Sequence, residues 1–130
     1  MSDKEIEQEI QSKGLKAPRI TPADIESNII AESCFTAYEG MLGAYRTHGD
    51  VHQGKGEITH TSLGLLTICV LVLRNGFTVT GESACASPEN FDEELGRKIA
   101  RQNAVAKIWP LMGYQLRSRL AEEATFGASS

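Results

Sequence analysis

The sequence contains no uninterrupted apolar run near the roughly 18 residues that a membrane-spanning helix needs, which argues for a soluble protein. It also lacks a surplus of positive charge. Thirteen Lys and Arg face seventeen Asp and Glu, a net charge of −4, so the phosphate-neutralising field of a general nucleic-acid binder is missing. The N-terminus, MSDKEIEQEIQSKG, is acidic and polar where a secretory signal would carry a basic start and an apolar block. Cysteine is scarce: Cys34, Cys69 and Cys85 are odd in number and widely spaced, which fits reduced thiols in a cytoplasm better than a disulfide framework. No GxxxxGK[ST], GxSxG or HExxH is present, so the common phosphate-cradling, esterase and zinc-protease signatures are excluded and no enzyme is expected.

Metal chemistry is equally thin. His48 and His52 are four apart and His60 follows, but glycines surround them and no Cys lies close in sequence to complete a four-ligand site. They read as exposed loop histidines, and neither metal nor cofactor is expected. Cys85 precedes a helix start, where a thiolate could be favoured, yet its neighbours Ala84 and Ala86 point to packing. Cys34 and Cys69 sit in apolar surroundings and read as small core residues.

What is present suits one globular domain: 130 residues, 41% hydrophobic and 23% charged. Residues 1–19 are charge-rich with little apolar surface and read as a flexible or frayed arm, residues 20–123 as a single α+β domain, and residues 124–130 as a flexible tail. The first firm element starts at ITPADIESNIIAESCF. Thr21 can cap, Pro22 suits the first helical position and Asp24 can reach back, while Ile25, Ile29, Ile30, Cys34 and Phe35 recur at helical spacing through to about Tyr38. The next stretch, EGMLGAYRTHGDVHQGKGE, holds five glycines and reads as loop.

A β-hairpin follows. Leu65 to Leu73 is almost wholly aliphatic or β-branched, Asn75-Gly76 is a strong turn signal, and Phe77 to Ser83 alternates. A two-residue turn would set Val72 opposite Val79 and place Ile68, Val70, Val72, Phe77 and Val79 on one surface. The first strand is apolar on both faces, as a central strand would be. A hairpin alone is rarely stable in water, so a third strand is expected around Glu57 to Thr61, or from another subunit. A long helix then starts near SPENFDEE, capped either by Ser87 with Pro88 behind it or by Asn90. At about 100° per residue, Phe91, Leu95, Ile99, Val105, Ala106 and Trp109 share one flank, and Ala100, Ala104 and Ile108 the opposite one. Two apolar flanks predict cover from both sides, one of them from a second subunit. Pro110 predicts a break, with a second helix over Leu111 to Glu123.

The composite of ITPADIE, LLTICVLVLRNGF, GESACASPENFD and KIWPLMGY, spread from Ile20 to Leu120, resembles the small tailed-phage family typified by the gene product 49 and gene product 66 proteins of enterobacterial phages. Residues 39–58 lie outside that pattern. The resemblance implies an accessory protein acting in the host cell cytoplasm, and it carries over no catalytic residues.

Recognition chemistry is then the remaining expectation. Arg97, Arg101 and, further along, Lys107 could frame a phosphate-bearing ligand beside the hairpin end, where Glu82, Ser83, Ser87 and Asn90 offer hydrogen bonds and Trp109 an aromatic face; Tyr114, past the proline, could stack on a base too. Against this, Glu93 to Arg97 and Glu94 to Lys98 are favourable i, i+4 pairs, and Asp92, Glu93 and Glu94 already occupy the positive end of the helix dipole. Two functions compete on these grounds. One is a homo-oligomeric counter-defence protein that sequesters a host nucleotide-derived signal between subunits. The other is an interaction module that binds a host or virion protein, with the acidic N-terminal arm as a handle.

Overall fold

The computed structural model describes residues 2–49 and 56–129. The elements run α1 (Asp3–Ser12), α2 (Pro22–Ser27), β1 (Ile29–Thr36), α3 (Ala37–His48), α4 (Gly56–Gly64), β2 (Leu66–Leu73), β3 (Thr78–Ala84) and α5 (Glu93–Ser129), with one 3-10 turn at Pro88–Asn90. The architecture is α+β: a three-stranded antiparallel sheet of order β1-β2-β3, with the long α5 laid across it.

The helix expected from Thr21 to Tyr38 divides in two. Thr21 and Asp24 form the reciprocal capping box and Pro22 opens α2, but the helix closes at Asn28 and the chain turns into β1. This strand, and not the stretch around Glu57 to Thr61, completes the sheet; that stretch is helical in α4. The physical reason is that β2 leaves one edge unpaired after β3 has bonded to the other, and IIAESCFT satisfies it. Its apolar residues fit either period, so tertiary pairing decides. A register shift between Ile29 and Ala31 releases Ile30 from the ladder, and Ile30 is 61% exposed. The amide of Arg74 donates to both the main-chain and side-chain oxygens of Asn28, at 3.0 and 3.2 Å, tying the hairpin tip to the α2–β1 joint.

The glycine-rich stretch is also ordered in its first half. Thr36 and Glu39 make a second reciprocal capping box that starts α3. The N-terminal residues carry a third capping box, Ser2 with Glu5, and α1 is joined to the body by Arg19–Glu7 and by Trp109 donating to Asp3 at 3.1 Å.

Three residues, Arg74 to Gly76, form the hairpin loop. The Leu73 amide donates to the Phe77 carbonyl at 2.8 Å, and Gly76 adopts φ +86°, as in a turn closed by a left-handed residue. The extra residue moves the expected register by one: Leu71 faces Val79 and Cys69 faces Gly81. Cys69, Leu71, Leu73 and Val79 therefore share the face under α5, and Ile68, Val70 and Val72 lie on the other.

Helix α5 presents Ala100, Ala104 and Ile108, each fully buried, to that face. The approach is close because Gly81 has no side chain: a Cβ there would fall 2.1 Å from the Ala100 carbonyl oxygen and 2.2 Å from the Ala104 amide nitrogen. Gly96 repeats the device, where a Cβ would meet the Thr67 hydroxyl at 2.9 Å. Full burial of Ile108 and Leu71 stabilises the fold by about 1.5 to 3 kcal/mol each. Neither Ser87 nor Asn90 caps α5. Ser87 precedes the separate 3-10 turn, and Asp92 is the cap, its carboxylate accepting from the Leu95 amide at 3.0 Å. The helix also passes through Pro110 without stopping. A proline costs one amide and crowds the carbonyl four residues earlier, but Ile108 and the partly buried Met112 are held by packing on either side.

Candidate functional site

The residues expected to form an anion site do not converge. Arg101 spends its guanidinium on two carboxylates, donating to Glu32 at 2.6 Å and to both oxygens of Glu26 at 2.9 and 3.1 Å. Those carboxylates hold Arg101 above its ordinary pKa, and Arg101 in turn holds the Glu26 carboxyl below the usual range. The group bolts α5 to β1 and α2. Glu82 and Ser83 belong to β3, at the opposite edge of the sheet. There the Asn103 side chain donates to the Glu82 carbonyl at 2.8 Å, and the Glu82 carboxylate accepts from Thr80 at 3.3 Å. Ser87 and Asn90 flank the 3-10 turn, where the Ser87 carbonyl accepts from the Cys85 thiol and from the Asn90 amide. Trp109 is half-buried with its indole N–H engaged by Asp3. It stands about 18 Å along α5 from Arg97, at 1.5 Å per residue.

Arg97 is the freest of these groups, its one ion pair among the described residues being a loose 3.9 Å contact with exposed Glu93. It lines a cavity of about 100 Å³ with Cys34, Thr36, Thr67 and Phe91. That volume suits a few waters or a very small ligand. It is below the roughly 300 Å³ at which drug-sized sites begin.

A groove of about 470 Å³ between β3 and α5 has better chemistry. Phe77, beside the hairpin turn, and Tyr114, one turn past Pro110, stand on its two walls and are 55% and 78% exposed. Lys107 lies along the same groove and makes no ion pair among the described residues; Thr78 and Thr80 border it from edge strand β3, on the face they share with Val72 and Val70. An aromatic face takes a base or another flat ring, and an ammonium takes a phosphate or carboxylate. Lys107 and Tyr114 were legible from sequence as residue types. Phe77 was not: it shares the helix-facing surface with Val79 yet stays exposed, because it sits at the open end of the hairpin.

Other features bring less together. A wider groove of about 720 Å³ runs between residues 18–28 and the far half of α5, with Arg74 and Arg119 on its rim, but Asp24 and Glu122 line it as well. Tyr38 packs edge-on to the His60 ring at 5.6 Å, His48 ends α3, and His52 lies outside the described residues. Among the described residues no group of three His, Cys, Asp or Glu is placed to hold a metal ion, and no helix is long and apolar enough to cross a membrane.

Of the flank expected to be apolar and opposite the core, Phe91, Val105 and Trp109 are half-buried, the last two packed against the core, while Leu95 and Ile99 stay open in the single chain at 53% and 39% exposure. Neither a curated protein nor a solved structure matches the chain. The capped α2, the three-stranded sheet and the proline-bearing part of α5 fall within residues 20–120, and over those residues the chain belongs to the phage protein (N4 Gp49/phage Sf6 gene 66) family.

Proposed function

We propose that this phage protein is a non-catalytic binder that sequesters a nucleotide-derived small molecule in the host cell cytoplasm, using the groove between β3 and α5. One observation carries the reading: two exposed aromatic rings, Phe77 and Tyr114, share a groove of ligand size with the ammonium of Lys107, which makes no ion pair among the described residues. Burying an exposed ring against a base offsets its contact with water, and phosphate neutralises the lysine. The groove is open to solvent on one side. A second subunit docked on the Leu95–Ile99 stripe would make the protein a homo-oligomer and supply further walls, which is the arrangement a tight trap needs. The role is counter-defence: removing a host signal without chemistry.

Thermal shift against a panel of linear and cyclic nucleotides tests the reading. A ligand at a hundredfold excess over its Kd stabilises by about 2.7 kcal/mol. Loss of one stacking ring in Tyr114→Ala costs about 1 to 3 kcal/mol of affinity, and Lys107→Ala weakens phosphate-bearing ligands more than neutral nucleosides. A flat panel for the wild type turns the assignment to the second reading, a module that docks on a host or virion protein. The exposed Leu95 and Ile99 favour that reading next, since a continuous apolar stripe on a helix is also how protein partners are gripped.

A further inference from the structure

Cys34 and Cys69 face each other across β1 and β2, with their sulfurs 2.7 Å apart. The ladder fixes the kind of pair. The Leu73 amide donates to the Phe77 carbonyl and the Leu65 carbonyl accepts from the Cys85 amide, while the Arg74 amide donates to Asn28 on the other side, so the odd-numbered residues of β2 bond to β3 and the even-numbered ones to β1. Cys69 therefore meets Cys34 at a non-hydrogen-bonded position, where Cα atoms lie about 4.5 Å apart, inside the span of about 4.4 to 6.8 Å that a disulfide accepts. Both thiols are free in this structure.

The two thiols are unequal. Cys69 is fully buried beneath α5, and burial first, then the contact with Cys34, pushes its thiol up to about 12. Cys34 is half-buried and lines the 100 Å³ cavity with Thr67, Arg97 and the carboxylate-bearing Glu39 and Glu93. The Thr67 hydroxyl is buried, at 2% residue exposure, and has no hydrogen-bond partner among the described residues. A buried polar atom without a partner costs about 1 to 3 kcal/mol, and a small polar guest in the cavity would remove that cost.

We infer that the Cys34–Cys69 pair and its cavity form a dithiol site that a small hydroperoxide oxidises to a cross-strand disulfide. The Cys34 sulfur, giving up its proton, attacks one peroxide oxygen. The O–O bond breaks, and the other oxygen leaves as water after taking that proton, aided by donors at Arg97 and Thr67. Cys34 is now a sulfenic acid. Cys69 then attacks the Cys34 sulfur, the S–O bond breaks, and the hydroxide leaves as a second water with the Cys69 proton. In sum, two thiols and one hydrogen peroxide give one disulfide and two waters; the sulfurs lose two electrons and the peroxide gains them. The product fastens edge strand β1 to the centre of the sheet and closes a 35-residue span that includes α3 and α4. The inference is independent of the β3–α5 groove.

The test treats the purified full-length chain with hydrogen peroxide and reads intact mass, alkylatable thiols and peptide linkage. Expected are the loss of two thiols out of three, a mass loss of two hydrogens, a Cys34–Cys69 linked peptide, a raised melting temperature and reversal by dithiothreitol. Cys85→Ser leaves all of this intact. Cys69→Ser stalls the reaction at Cys34, where dimedone traps the sulfenic acid, and Arg97→Ala slows oxidation several-fold. The wild-type measurements need no variant to fold. All three thiols still alkylating at peroxide levels that oxidise free cysteine, or oxidation that runs through Cys85 into linked dimers, would overturn the assignment.

Discussion

The two sides of α5 are both apolar in sequence and opposite in circumstance. On the sheet side, Ala100, Ala104 and Ile108 are sealed against Cys69, Leu71 and Gly81. On the solvent side, Leu95 and Ile99 stand open. The difference lies in residue size as much as hydrophobicity. Small residues let the helix backbone approach the sheet until water is excluded, whereas Leu95 and Ile99 on the far side project toward solvent. One side makes the fold, and the other stands open.

The largest effect should come from breaking the closed side. Gly81→Val puts a branched side chain where even a Cβ meets backbone atoms at 2.1 Å, so α5 must lift; a loss at or beyond about 3 kcal/mol is expected in urea unfolding. Wild-type stability in that variant would refute the close approach. Ile108→Ala, which leaves a cavity on the same side, should cost about 2 to 5 kcal/mol by the same measurement.

On the open side the expected stability change is small, within about 0.5 kcal/mol for a surface substitution. Leu95→Ser with Ile99→Ser should instead change the mass seen by light scattering, converting an oligomer to monomer. An unchanged mass, or a wild type already monomeric, would remove the homo-oligomer from the proposal.

An effect confined to acid pH sharpens the boundary between the two sides, where Arg101 bridges Glu26 and Glu32. The Glu26 carboxyl is held low by Arg101. Its contribution is therefore present above the unfolded carboxylate pKa of about 4.3 and is lost as pH falls through the lower folded value. Because these side chains are one-third to one-half exposed, the contribution is at most about 1 kcal/mol. Glu26→Gln should flatten that part of the acid-unfolding curve and leave stability at neutral pH within the same limit.

Legibility from sequence followed local chemistry. The hairpin, the central position of β2, the capped start of α2 and the presence of a helix after SPENFDEE were readable because strand propensity, turn residues and periodicity agreed; the run of α5 through Pro110 was not, because packing of Ile108 and Met112 on either side outweighs the lost amide. β1 was misread because Ile29, Ile30, Cys34 and Phe35 suit a helix as well as a strand, and only the vacant edge of β2 decides between them. α3 carried a readable Thr36–Glu39 box, which the glycines around it outweighed. The hairpin register hung on whether Arg74 belongs to the loop. The proposed site was partly visible: Lys107 and Tyr114 could be named, but Arg101 could not be recognised as spent until Glu26 and Glu32, distant in sequence, folded onto it.

Helix α5 has 37 residues, about 55 Å of rod, against strands of eight residues that extend about 27 Å. Its first half is sealed against the sheet; beyond Pro110 the cover is partial, with Met112 packed against the core and Leu116 lining the groove that faces residues 18–28. Pro110 lies just past the last sealed residue, Ile108, where the rod leaves the sheet. A load on the free end bends it there first, at the Ala106 carbonyl that Pro110 leaves without an amide.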